Sequence, residues 1–147
     1  MLVRAAKFLG FPFVEIERAD HNNIDCIRTD VPQARGEPQG NISYELAGSS
    51  CENVFCKQRM TIYSCDVADR FPHDLLLQEL KVCSCVGVPL FSTKNELLGL
   101  LVLMSDRPIE MASVFTSVFE FLATRAGMKL TREELKNRLI EKKEKYF

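Results

Sequence analysis

The chain has 147 residues, of which 46% are apolar and 27% charged, the balance of a soluble globular protein with length for one domain. Nineteen basic residues oppose twenty acidic ones for a net charge of −1, so no overall field draws the chain to nucleic acid or an anionic membrane. No apolar run approaches the ~20 residues of a membrane span, and MLVRAAKFLGF at the start is too short and too charged for a signal peptide, so the expected location is cytoplasmic.

Residues 2–9 place Leu2, Ala5, Ala6 and Leu9 on one side of a short helix that Gly10 ends. Phe11–Ala19 alternates as a strand, with Phe13 and Ile16 set among Glu15, Glu17 and Arg18. The turn cluster Asp20-His21-Asn22-Asn23 leads into a returning strand, Ile24–Val31, and Pro32–Gly40 reads as a polar loop. Asn41–Leu46 alternates again, with Ile42, Tyr44 and Leu46 on one face. Ser49-Ser50-Cys51-Glu52 carries the S-x-x-E capping pattern and opens a short helix towards Lys57, with Val54 and Phe55 as its apolar contacts. Met60–Cys65 is a further strand, and Phe71-Pro72-His73-Asp74 opens a Leu-rich helix to Leu80.

From Cys83 to Asp106 two Val- and Leu-rich runs flank Ser92-Thr93-Lys94-Asn95-Glu96, with Gly87 in one run and Gly99 in the other. Fading alternation is the mark of a hairpin covered on both faces. Pro89 fits an edge or a bulge, and the two glycines fit close backbone approach. Pro108 suits a first helical turn, capped by Ser105 or Asp106, of a long helix through Arg125. On that helix Met111, Val114, Phe115, Val118, Phe119, Phe121, Leu122, Ala123 and Ala126 span ~220° of arc, beyond the ~100° that one sheet face requires. The surplus is met either by deep burial of the helix in its own domain or by a second partner, the N-terminal helix or the same helix of a second subunit, and a homodimer is favoured. Thr131 and Glu134 fit another capping box just after Gly127, which leaves open whether the helix runs on or breaks and restarts there. Residues 131–147 are a charged helical tail in which Glu134/Arg138 and Glu141/Lys145 pair at i,i+4 and Leu135, Leu139, Ile140 and Tyr146 form an apolar seam, either a solvated helix or the start of a coiled coil. The order is that of an α+β fold with a largely antiparallel sheet of about six strands.

The six cysteines, Cys26, Cys51, Cys56, Cys65, Cys83 and Cys85, include no C-x-x-C pair, and His21 and His73 stand far apart in loop-like sequence. Reduced thiols are expected, with neither a metal nor a cofactor. No phosphate-binding loop, nucleophile elbow or H-E-x-x-H motif is present. Asp66, Asp69 and Asp74 read as cap and turn residues.

Taken in order, Tyr44–Val54, Phe71-Pro72-His73-Asp74, Gly87-Val88-Pro89-Leu90 and Leu98–Val102 resemble the GAF domain, most of all the bacterial subfamily attached to sensor kinases, cyclases and PAS modules. The resemblance runs from about Phe11 to about Leu130 and divides the chain into a sensory domain, residues 1–130, and the tail. It implies a central antiparallel sheet, dimer-forming terminal helices on one face, and a small-molecule pocket on the other. That pocket is roofed by Cys51–Arg59 and Phe71–Leu80. Its implied lining is Tyr44, Cys51, Val54, Phe55, Phe71, Leu75 and Leu76, with Cys83 and Cys85 on the floor. Two departures stand out: Ser49-Ser50 replaces the subfamily's Thr-Pro, and Cys85 replaces an aromatic. The implied function is non-enzymatic: an unidentified small molecule or a redox state is sensed and passed through a helical homodimer to an output module, with no nucleic acid or membrane as partner. The alternatives are a free methionine sulfoxide reductase using Cys51, Cys83 and Cys85, and a ligand-free structural dimeriser. Bilin attachment lacks its Cys-His pair, since His73 is flanked by Pro72 and Asp74. The N-K-x-D-like signature of cyclic-nucleotide binders is not found.

Overall fold

A computed structural model describes residues 10–20, 23–29, 33–34, 37–38, 43–45, 47–110 and 113–146. The helix expected over residues 2–9 lies outside these. The strands are β1 (Phe13–Asp20), β2 (Asn23–Thr29), β3 (Gln33–Ala34), β4 (Glu37–Pro38), β5 (Ser43–Glu45), β6 (Thr61–Tyr63), β7 (Ser84–Phe91) and β8 (Leu97–Ser105). The helices are α1 (Cys51–Lys57), α2 (Val67–Arg70), α3 (Leu75–Glu79) and α4 (Ser113–Tyr146).

Hydrophobic patterning places the predicted hairpin at the centre. Along β7, Ser84–Leu90 are all buried, as are Gly99–Ser105 on β8, because the pair is covered above and below. Antiparallel pairing continues outwards as β6-β7-β8-β1. The far edge of β1 is shared, with β3 beside Phe13 and Val14 and β2 beside Glu17–Asp20. Among the described residues the sheet has eight strands, against about six expected. The surplus is the two-residue ladder β3–β4 inside the segment read as a polar loop.

Two glycines set close approaches. A Cβ on Gly99 would collide with the carbonyl oxygen of Glu17, and one on Gly87 would lie 2.5 Å from Val54 Cγ2. Pro89 stands where β7 has β8 on one side while β6 has already ended opposite Gly87, a position that lacks a second ladder to disrupt.

One face of the sheet, carrying Val14, Ile16, Val86, Val88, Leu90, Leu101 and Leu103, packs on Phe119, Leu122, Ala123, Ala126 and Leu130 of α4. Phe119 is fully buried and meets Phe11 edge to face, with ring centroids 5.6 Å apart. Truncating such a ring costs about 3–5 kcal/mol.

The helix does not break at Gly127. It runs unbroken for 34 residues, and a Cβ at Gly127 would stand 2.5 Å from the Phe91 carbonyl oxygen. The glycine therefore admits the end of β7 to the helix surface and terminates nothing. Thr131 Oγ1 donates to the Gly127 carbonyl at 2.9 Å, and Glu134 pairs with Arg138 at 3.3 Å. The Thr131/Glu134 cap is thus not made.

Pro108 also falls outside a helix, since the helix as described begins at Ser113. Arg107–Glu110 form a connection pinned by Ser84 Oγ donating to the Arg107 carbonyl (2.6 Å) and by the Ile109 amide donating to the Ser64 carbonyl (3.0 Å). Ser105 Oγ accepts the Arg107 amide at 3.2 Å, so it caps this turn.

Candidate functional site

The other face of the sheet follows from register. Tyr63, Cys85, Met104 and Phe13 form one cross-strand row; Thr61, Gly87, Val102 and Glu15 form the next; Pro89, Leu100 and Glu17 a third. Side chains of directly paired residues share a face, so two glutamates lie among Met104, Val102 and Leu100. The three short helices α1, α2 and α3 cover this surface. Cys51, Val54, Val67 and Leu77 come down from them to pack with Phe13, Tyr63, Val82, Cys85, Leu100, Val102 and Met104.

Asp74 braces the roof. It caps α3 by accepting the Leu77 amide (3.4 Å), and its Oδ2 accepts the Ser50 amide ahead of α1 at 3.1 Å. The S-x-x-E sequence does open a helix. Glu52 Oε2 accepts the Gly48 amide (3.1 Å), and Ser50 itself has helical backbone angles and makes no side-chain cap. A second brace passes through Tyr63, whose hydroxyl accepts from Asn53 Nδ2 at 2.9 Å and whose ring meets Phe71 edge to face at 5.3 Å.

The expected lining residues are distributed unevenly. Cys51, Val54 and Cys85 are buried together beneath the roof, and Phe55, Phe71 and Leu76 pack at its margin. Leu75 is 79% exposed, because the α3 turn that buries Leu77 directs Leu75 outwards. Cys83 is half-buried beside a hollow of about 280 Å³ bordered by Asp66, Leu77, Lys81 and Val82. Tyr44 pairs with Ile27 in the β2–β5 ladder. A larger open groove, about 800 Å³, lies elsewhere, between Glu120, Thr124 and Met128 of α4, the β7–β8 turn, and Gln58–Met60. None of the expected lining residues borders it.

Glu15 and Glu17 are the residues that sequence reasoning missed. They are 4% and 1% exposed, and Asp74 is 8% exposed. Burial first, then the charge of Glu17, a hydrogen bond to Glu17 and the charge of Asp74 push the Glu15 carboxyl up to about 10, so Glu15 carries its proton at neutral pH. Its Oε2 is buried with no hydrogen-bond partner. Burial, then the charges of Glu17, Glu15 and Asp74, also push the Cys85 thiol far above its usual range. The signal was available: once the hairpin is central, its neighbour β1 is covered on both faces, and a Phe-x-Glu-x-Glu alternation must bury two acids.

The model of the GAF domain family matches residues 1–130. The chain belongs to the GAF domain family. Solved structures agree in fold. The GAF domain of a two-component sensor histidine kinase from Bacillus halodurans superposes with a TM-score of 0.71 at 15% identity, covering 92% of this chain and 93% of that one. The blue-light absorbing form of the PixJ GAF domain from Thermosynechococcus elongatus gives 0.67 at 20% identity, covering 95% and 85%. The type II free methionine-R-sulfoxide reductase from Thermoplasma acidophilum gives 0.67 at 14% identity, covering 90% of each chain. The comparison with curated proteins found no match. Among the described residues of this GAF domain no helix is long and apolar enough to cross a membrane.

Proposed function

We propose that this GAF domain is a regulatory sensor: a small molecule binds between the sheet and the α1–α3 roof, and its presence is passed along α4 through a helical homodimer to an output module. The observation that carries the reading is the set of polar groups buried under the roof. Packing alone would favour an apolar residue at Glu15, and small-molecule sites combine apolar walls with a few convergent polar groups. The roof is built of helices of seven, four and five residues, each too short to persist without its tertiary contacts. Opening it is therefore a local event, and a ligand that binds the open arrangement better shifts the population towards it. For the dimer, the support is Phe121, Met128, Leu135 and Leu139, all more than half exposed on one continuous helix.

The test is native mass spectrometry of the purified domain for co-purified small molecules, followed by titration against a metabolite library with sedimentation analysis of the dimer. A bound species, or a metabolite that changes thermal stability, is expected. Neither appearing would overturn the reading.

The burial of Cys51, Val54, Val67, Leu77 and Cys85 in one cluster with the sheet favours a second reading, a ligand-free dimerisation module, which predicts a dimer and no bound species. The reductase reading draws on the Thermoplasma acidophilum structure. It is weakened by Cys85, whose thiol holds its proton too firmly to attack a sulfoxide.

A further inference from the structure

We propose that the roofed site takes a small organic cation, a primary alkylammonium group, received by the carboxyl of Glu15 with Asp74 facing it from the roof. This deepens the sensor reading and rests on it.

Three observations carry the inference. First, the charges under the roof have one sign. Glu15, Glu17 and Asp74 are buried there, whereas no Lys, Arg or His occurs among the described buried residues. Second, Glu15 Oε2 is buried without a hydrogen-bond partner. Register aims it at the roofed side, in the row of Val102 and Gly87, and Gly87 in turn meets Val54 of α1. An orphaned carboxyl oxygen in that position is a vacant acceptor. Third, the described residues offer no group of three His, Cys, Asp or Glu that could hold a metal ion. A single unpartnered acceptor suits a cation that carries its own N–H donors. An ammonium group has three of them, and the apolar floor of Phe13, Val102 and Met104 suits an alkyl stem.

The Glu15 carboxyl is itself neutralised by a proton. Burial and the neighbouring carboxylates keep Glu15 protonated, and the groups facing it are Glu17 on its own strand, Asp74 from the roof and the Cys85 thiol from β7. Binding is then an exchange. The Glu15 carboxylic acid and an alkylammonium ion give a carboxylate–ammonium pair, and one proton leaves to solvent. No net charge enters the low-dielectric space, so the desolvation cost that opposes a lone buried ion is avoided.

The test uses three probes of matched size, butylammonium, 1-butanol and butyrate, titrated calorimetrically into the whole chain. Butylammonium binding with release of about one proton is expected, read from buffers of different ionisation heat. Its affinity should rise roughly tenfold per pH unit between pH 6 and 8. Glu15→Gln, which keeps the shape and removes the exchangeable proton, should weaken butylammonium at least tenfold and abolish the proton release. Butanol or butyrate binding as well as butylammonium would overturn the cationic class and leave the sensor reading standing. No butylammonium binding, or pH-independent binding without proton release in the wild-type chain, would also overturn it. The sensor reading falls only on the native mass spectrum and metabolite titration.

Discussion

Asp74 Oδ2 holds the backbone N–H of Ser50 at 3.1 Å, joining two roof helices whose sequences lie 24 positions apart. The same carboxyl accepts the Leu77 amide. Asp74→Ala strands a buried amide and removes a helix cap, and the expected loss is about 2–4 kcal/mol of unfolding free energy. Asp74→Asn keeps an acceptor oxygen and should cost less than half as much. Urea denaturation of both variants checks this. Equal losses would show that the brace does not depend on an accepting oxygen.

The Gly87–Val54 contact fixes how low α1 sits on the sheet. Gly87→Ala inserts a methyl group 2.5 Å from Val54 Cγ2, and overpacking of this kind costs about 1–3 kcal/mol. Val54→Ala in the same chain should recover part of that loss. A double-mutant cycle measures the coupling; strict additivity would place the clash elsewhere.

Glu15 makes stability depend on pH in a direction unusual for an acid. Its carboxyl stands at 4.5 in the unfolded chain and about 10 in the folded one, so between those values the folded state binds more protons. Stability from this group is complete below pH 4.5 and declines as pH rises towards 10, by up to about 1.4 kcal/mol per pH unit. Glu15→Gln removes the dependence. Thermal melts at pH 5, 7 and 9 should show the variant gaining steadily on the wild type, and parallel melts would refute a buried, protonated Glu15.

Thiol labelling should separate the cysteines by environment. Cys56 is exposed, whereas Cys51 and Cys85 are buried. Iodoacetamide at pH 8 should modify Cys56 in the native protein and reach Cys51 and Cys85 only after denaturation. Rapid native labelling of Cys85, located by peptide mass spectrometry, would raise the reductase reading above the sensor reading.

How much of this was legible in the sequence depended on whether the cause was local. The hairpin from Cys83 to Asp106 announced itself because burial on both faces leaves a continuous apolar run. The helices after Ser50 and Asp74 were visible through their opening residues, whereas the acceptor of the Ser50 amide, Asp74, is remote in sequence. Glu15 and Glu17 were read only as the charged members of an alternating strand. Only the pairing of β1 with β8 shows that their side is covered. Gly127 left a helix break open because its low helix propensity is a local property, while the carbonyl of Phe91 that requires it is 36 positions away.

The uninterrupted α4 has a consequence for anything joined to its end. Its 34 residues make a rod of about 51 Å, of which the 16 after Leu130 extend some 24 Å past the last buried contact. A rod of this kind transmits azimuth as well as position. Each residue added to the exposed stretch turns its far end by about 100°, while seven residues return it almost to the starting direction. Tolerance to insertions there should therefore be periodic, so that phase along the helix matters more than length.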